Sequence, residues 1–371
     1  MNRDLIVFGE DWGGLPSSSQ HLVRHLAETR KVVWINSIGL RRPRFNRGDL
    51  QRAWNKLRGE ASPSMHSATP KNLHIVQPRT LPVPRGELER RLASSLLQRQ
   101  IMPVVERASL NKPILWASLP TAVDMAGRFD ESALVYYCGD DFSALAGVDH
   151  RVVVQREREL VERSDLIMAA SEVLANRFPA ETTQVLPHGV DFELFSTPSQ
   201  RAADLPDDGR PIAGFYGSLS EWLDRSLLMQ VIRQLPEWHF VFIGKADIDM
   251  SDLQRLHNVT LLGPRPHHKL PGYSQHWDVS LLPFVDNPQI RACNPLKLRE
   301  YLATGRPVVS TEFPAALTYQ GLVQVVSSAE EMTRAIRSSR YDSDAGNRQA
   351  AVTGHTWQAR AEQVSRWLAV L

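Results

Sequence analysis

The stretch NPLKLREYLATGRPVVS, residues 294–310, decides how this chain folds. Asn294 suits a helix N-cap, and Pro295 suits the first helical position, where a missing N–H costs nothing. Gly305 reads as the residue that closes the helix, and Pro307 bars its continuation. Val308–Ser310 then reads as a short β-branched strand. A helix that stops on glycine and feeds an apolar strand is the repeating step of a parallel α/β sheet. Lys297 and Glu300 are three apart, so both project from the first helical turns on one side. The free N–H groups and partial positive charge at that end suit an anion such as a phosphate.

Outward from this segment, short apolar runs alternate with amphipathic ones almost throughout. Strands are expected at Leu5–Gly9, Val32–Ile35, Leu73–Val76, Ile114–Ala117, Ala133–Cys138, Leu166–Ala170 and Gln184–Leu186. A helix capped near Ser17 carries Leu22, Val23 and Leu26 on one face, and a long one covers about Glu87–Arg107. FELFSTPSQRAADLPDDGRP is rich in Pro, Ser and Asp and lacks periodicity, so residues 192–210 read as a linker. The alternation then restarts at Ile212–Tyr216, Phe240–Ile243, Val259–Leu262, Val279–Leu282, Val308–Ser310 and Leu322–Val326. IVFGEDWGG and AGFYGSLSEW look like one device used twice: apolar strand, glycine, loop, helix. The expected organisation is a Rossmann-like domain at 1–191, the linker, a second Rossmann-like domain at 211–345, and a helical segment at 346–371 that packs back on the first domain. Two such α/β domains facing a cleft would place their ligand at the carboxyl ends of the strands.

With 371 residues the chain exceeds one ordinary core, which agrees with two domains. Its 42% hydrophobic and 23% charged residues are those of a soluble globular enzyme, and no apolar run approaches the ~20 residues of a membrane span. The start MNRDLIVFGEDWGG does not read as a signal peptide, and two cysteines make no disulfide framework, so a cytoplasmic home is expected. The net charge of +2 hides an asymmetry. Residues 1–110 hold 18 Lys and Arg against 9 Asp and Glu, and the remainder 25 against 32. A basic first third suggests a face that meets something anionic, although no nucleic-acid module is visible. Within it, Leu50, Ala53, Trp54 and Leu57 repeat at helical spacing among Arg47, Arg52, Lys56 and Arg58. That pattern suits either an anionic membrane surface, with the protein peripheral on its inner face, or packing on the chain's own domain.

Neither glycine loop matches G-x-G-x-x-G and no Walker A motif occurs, which weakens dehydrogenase and nucleotidase readings. Gly13 and Gly14 either let backbone approach a ligand or form a plain tight turn. Lys297 offers a point charge to a diphosphate, and Glu300 can accept two hydrogen bonds from the vicinal hydroxyls of a ribose. The bland alternative is a salt bridge between the two. Asp140 and Asp141 follow the apolar run LVYYC and should emerge at a strand's carboxyl end. There one would act on an acceptor hydroxyl or position a sugar, or Asp141 would cap a helix. His188 in LPHGVD reads as a ligand contact or a backbone bond. Asp247-Ile248-Asp249 spells D-x-D, a metal motif that belongs with a fold other than two Rossmann-like domains, and His267-His268 lacks the companions of a zinc site, so no metal is expected.

The segment NPLKLREYLATGRPVVST resembles the signature of nucleotide-sugar glycosyltransferases of the GT-B fold, in the large family four. SDLIMAAS, VLPHGVD, AGFYGSLSEWLD, FVFIGKAD, NVTLLGPRP and DVSLLPF agree in order with that family, most specifically in the second domain. The branch it looks most similar to includes teichuronic-acid-type and other bacterial polysaccharide enzymes. The resemblance implies transfer of a sugar from a nucleoside diphosphate donor to a glycan or lipid-linked acceptor, with no cofactor beyond that donor and no obligatory metal. Glu300 would bind the ribose and Lys297 the phosphates, with Gly217 and Ser218 under the diphosphate, Arg265 beside the base, and Asn294 opening the helix of the site. Two positions depart from the pattern. Ala292 stands where relatives carry an acidic residue, and Ser218 and Arg225 replace an expected Arg and Lys, which leaves retention or inversion open. A nucleotide-sugar epimerase on the same fold and a non-catalytic sugar-binding protein are the competing readings.

Overall fold

The computed structural model describes residues 3–14, 17–37, 69–80, 84, 86–143 and 149–371. The chain forms two compact units, Met1–Pro187 with Arg360–Leu371, and His188–Ala359. The basic segment around Trp54 lies outside the described residues. Among the described residues no helix is long and apolar enough to cross a membrane.

The first unit is a parallel sheet of β1 (Leu5–Phe8), β2 (Val32–Ile35), β3 (Leu73–Val76), β4 (Ile114–Ala117), β5 (Ala133–Cys138), β6 (Leu166–Ala169) and β7 (Thr183–Val185), in the spatial order β3-β2-β1-β4-β5-β6-β7. The inner strands β1, β2, β4, β5 and β6 are buried along their whole length, whereas the edge strands β3 and β7 expose residues. That is why the inner strands read as unbroken apolar runs: helices cover both faces of a parallel sheet. Ser17 caps the helix Ser18–Leu26, its hydroxyl accepting from the Gln20 N–H. Arg30 is almost fully buried, and its guanidinium donates to the Arg3 carbonyl and the Ser365 hydroxyl, both at 2.8 Å. The last helix, Trp357–Leu368, is thereby fastened to the first unit at its C-terminal half.

The second unit is a six-stranded parallel sheet of β8 (Ile212–Tyr216), β9 (His239–Ile243), β10 (Val259–Leu261), β11 (Val279–Leu282), β12 (Val308–Thr311) and β13 (Val323–Val326), in the order β10-β9-β8-β11-β12-β13. Strand order reverses between β8 and β11, as it does between β1 and β4 in the first unit. Residues 192–210, read above as a linker, lie within this second unit. Phe192–Ser196 is a short helix capped by the Asp191 carboxylate, and Phe195 is fully buried. One turn of helix is too brief to leave a periodic signal among so many Pro, Ser and Asp residues.

The core of the second unit is aromatic. Trp277 packs against Tyr216 with ring centroids 6.0 Å apart, and Gly214 in β8 leaves the space its ring occupies. A Cβ on Gly214 would stand 1.7 Å from the Trp277 ring. Gly214→Ala is therefore expected to destabilise the protein by about 1–3 kcal/mol, the cost of overpacking, despite alanine's better strand propensity. A denaturant midpoint unchanged from the parent would show that Trp277 moves aside freely.

Candidate active site

The strand reversal between β8 and β11 is where an open α/β sheet presents its ligand crevice, and Gly217, Lys297 and Glu300, singled out from the sequence, converge there. β8 ends in Tyr216 and runs into Gly217, whose φ of 136° is a conformation other residues avoid. The Gly217 N–H donates to the Ile243 carbonyl, and a Cβ at Gly244 would stand 1.8 Å from the Gly217 carbonyl oxygen. The two glycines thus let the ends of β8 and β9 close together. Ser218 beyond them is exposed.

The helix Leu296–Thr304 faces this turn. The Lys297 ammonium lies 4.7 Å from the Phe215 ring centroid and 5.5 Å from that of Phe284, and a Cβ on Gly217 would meet it at 2.3 Å. Among the described residues Lys297 makes no ion pair, so the salt bridge to Glu300 is not formed. Burial lowers its pKa to about 8, against the opposing pull of Cys293 and Glu300. Glu300 is 7% exposed and both its oxygens are held. The Tyr216 hydroxyl donates to Oε2 at 2.7 Å, and His267 Nε2 donates to Oε1 at 2.7 Å. Burial drives the Tyr216 hydroxyl well above its ordinary range, and the Glu300 charge adds to this, so it remains a donor. Burial pulls the His267 imidazole down, but the charge and hydrogen bond of Glu300 outweigh it and the net shift is upward.

Sequence reading passed over His267, having weighed it only as a zinc ligand. The signal was its place: the Gly263–Pro266 loop follows β10 at the sheet's carboxyl edge, where ligand contacts cluster. One other expectation changes. Asn294 does not cap the helix; Pro295 occupies that position, and the Asn294 side-chain oxygen instead accepts from the buried Arg299 guanidinium at 2.6 Å. Arg265 pairs with Asp204, 2.6 Å away, and its Nε donates to the Tyr273 hydroxyl. His188 is buried, its ring 6.3 Å from that of Trp357. Ala292 is buried at the end of a short helix, and Arg225 pairs with Asp252 at 2.5 Å. Asp247 pairs with Lys245, and Asp249 accepts from the Ser251 N–H and hydroxyl; among the described residues no cluster of ligating side chains is present.

In the first unit, Gly13 and Gly14 form a tight turn. The Gly14 N–H donates to the Asp11 carbonyl and the Gly13 N–H to the Gln20 side chain, so both amides are used internally. Asp140 and Asp141 do emerge beyond β5, but their surroundings differ. Asp141 accepts from the Ser143 N–H and hydroxyl and pairs with Arg177 at 2.5 Å. These bonds outweigh its partial burial and hold it below the usual carboxylate range. Asp140 is open to solvent, yet the protein crowded around it and the charge of Asp141 push its carboxyl up to about 6. Glu10, just beyond β1, was not anticipated: burial, reinforced by Asp140, raises it to about 7, and its Oε1 has no hydrogen-bond partner among the described residues.

Because only the protonated amine attracts an anion, affinity for a nucleoside diphosphate should be steady below about pH 8 and fall above it. Titration calorimetry across that range checks this, and Lys297→Met should bind weakly with no such decline. A parent protein whose affinity stays constant to pH 10 would remove Lys297 from the site.

Comparison with known proteins agrees with this geometry. The model of the family described as glycosyl transferases group 1 matches residues 210–339. A Bacillus subtilis (strain 168) protein, named TuaH as a candidate teichuronic acid biosynthesis glycosyltransferase, is 28% identical over 226 residues, which cover 56% of this chain. The match spans 57% of that relative's length. Anabaena HepE, solved in complex with UDP-glucose, superposes with a TM-score of 0.70 at 15% identity, over 99% of this chain and 100% of its own. Sucrose-phosphate synthase from Thermosynechococcus elongatus gives 0.70 at 15% identity, over 99% and 98%. Residues 210–339 are thus a glycosyl transferases group 1 domain, and the two parallel-sheet α/β units have the fold of GT-B glycosyltransferases.

Proposed function

We propose that this protein is a glycosyltransferase that moves a sugar from a nucleoside diphosphate sugar to a glycan or lipid-linked acceptor in bacterial polysaccharide or glycolipid synthesis. The observation that carries the reading is the Lys297 ammonium, set beside the side-chain-free Gly217 with Glu300 further along the same helix. In this reading the diphosphate lies over the Gly217–Ser218 turn, at the helix start and against Lys297. The nucleoside's ribose hydroxyls bond to Glu300. The positive helix end and Lys297 offset the charge that develops on the leaving diphosphate, so no divalent ion is required of the mechanism.

The chemistry asked of the first unit is to handle the acceptor. The acceptor oxygen bonds to the anomeric carbon as the anomeric carbon–oxygen bond to the diphosphate breaks, its electron pair leaving with the phosphate oxygen. The hydroxyl proton must go to a base, and Asp140 is the carboxyl whose surroundings raise it towards the working range. Glu10 is a second carboxyl on the same edge of the sheet. Asp141, neutralised by Arg177 and bonded to Ser143, serves the turn rather than the reaction.

Incubation with a panel of sugar nucleotides separates the readings, beginning with UDP-sugars because the similar Anabaena protein was solved with one. A transferase releases nucleoside diphosphate and lengthens the acceptor. An epimerase leaves an altered sugar nucleotide, and a binding protein changes neither. Asp140→Asn should lose at least roughly a hundredfold in turnover with unchanged donor affinity, and parental turnover should decline as pH falls through about 6, where this base takes up its proton. Turnover should persist in EDTA. Full activity of Asp140→Asn would remove that residue from the chemistry, and loss in EDTA restored by manganese would overturn the metal-free mechanism.

A further inference from the structure

We infer that His267 is a positioning residue which, together with Tyr216, orients Glu300 to accept both hydroxyls of a vicinal diol, so that the second unit reads the ribose of its nucleotide. The inference rests on the nucleotide reading above. A carboxylate has about four acceptor sites, so one donor on each oxygen does not exhaust its capacity. What the two donors do is fix its plane. Rotation about the last bond of a glutamate side chain is broad and weakly hindered, so an unsupported carboxylate samples many orientations. With Tyr216 on Oε2 and His267 on Oε1, only one orientation keeps both bonds.

Both donors are themselves immobilised. Tyr216 lies stacked with Trp277 and Phe195 and edge-on to Tyr301, with centroids at 6.0, 6.4 and 4.8 Å. Its backbone N–H donates to the Tyr301 hydroxyl at 3.0 Å. His267 meets Phe195 edge-on at 5.4 Å and opens a single turn, His267–Lys269, that follows a loop with Pro264 and Pro266. Two of the three groups, Tyr216 and Glu300, flank the Gly217–Lys297 phosphate corner on the same strand and the same helix. A diol held by Glu300 is therefore registered against a diphosphate held by Lys297. A two-point fit of this kind selects nucleoside diphosphates over inorganic diphosphate and ribose over deoxyribose.

The test measures dissociation constants of the full chain for UDP, 2′-deoxy-UDP and inorganic diphosphate. The parent should prefer UDP to the deoxy analogue by roughly tenfold or more, the loss expected for a hydrogen bond to a charged group. Glu300→Gln should erase the preference. His267→Ala should reduce it at least about fivefold while leaving inorganic diphosphate unchanged. His267→Gln, whose amide N–H still donates, should restore most of it. If His267→Ala melts well below the parent, the shorter His267→Asn takes its place. Equal losses for UDP and deoxy-UDP in the alanine variant, or no loss in either, would mean that His267 only braces its loop, and the ribose reading would survive. Equal affinity of the parent and Glu300→Gln for the two ligands would overturn the ribose reading itself, and the positioning role with it.

Discussion

A carboxylate inside a ring of aromatic side chains remains charged only if donors meet it, and in the second unit that requirement falls on Glu300. Stripped of water, an ionised carboxyl is strongly disfavoured and would take up a proton instead. The Tyr216 hydroxyl and the His267 imidazole each donate to one of its oxygens, and each must be brought from a different part of the chain. Tyr216 closes β8, His267 follows the β10 loop, and Glu300 rides on the helix before β12. The order of strands in the sheet is what lets three distant segments meet.

The same low-dielectric logic separates charges elsewhere. Lys297 has rings around its ammonium and no ion pair among the described residues, and burial lowers its pKa against the pull of Cys293 and Glu300. In the first unit, neighbouring carboxyls are driven in opposite directions, Asp141 downward by Arg177 and Ser143 and Asp140 upward by its crowded surroundings. Two side chains of one chemical type, adjacent in sequence, are thereby given different protonation behaviour near neutral pH, which is how folded proteins divide acid and base duties.

Much of this was legible in advance. The thirteen strands among the described residues stand within about a residue of where apolar runs placed them, because parallel strands covered on both faces cannot hide their composition. Lys297, Glu300 and Gly217 were readable because helix stops and glycine turns have local signatures. The failures are non-local. The Arg265–Asp204 pair joins residues 61 apart, whereas the Arg299 bond that draws Asn294 from the cap position spans only 5 but follows no capping rule. The bond between His267 and Glu300 spans 33 residues and leaves no periodic trace. The Phe192–Ser196 helix was missed for the opposite reason, being too short to show a period at all.

The division of the chain also has a consequence for its birth on the ribosome. The second unit is an insertion: the first begins before it and is completed only by Arg360–Leu371. Arg30 emerges before the inserted unit, yet Ser365, which takes one arm of its guanidinium, emerges only after it. At ~5–20 residues per second, on the order of twenty to seventy seconds of synthesis separates Arg30 from Ser365, 335 residues later. During that interval the Arg30 guanidinium lacks its Ser365 partner, while every residue of the inserted unit has already been made. Ordering of the two units in time is thus written into chain connectivity, with the later-starting unit the first to be complete.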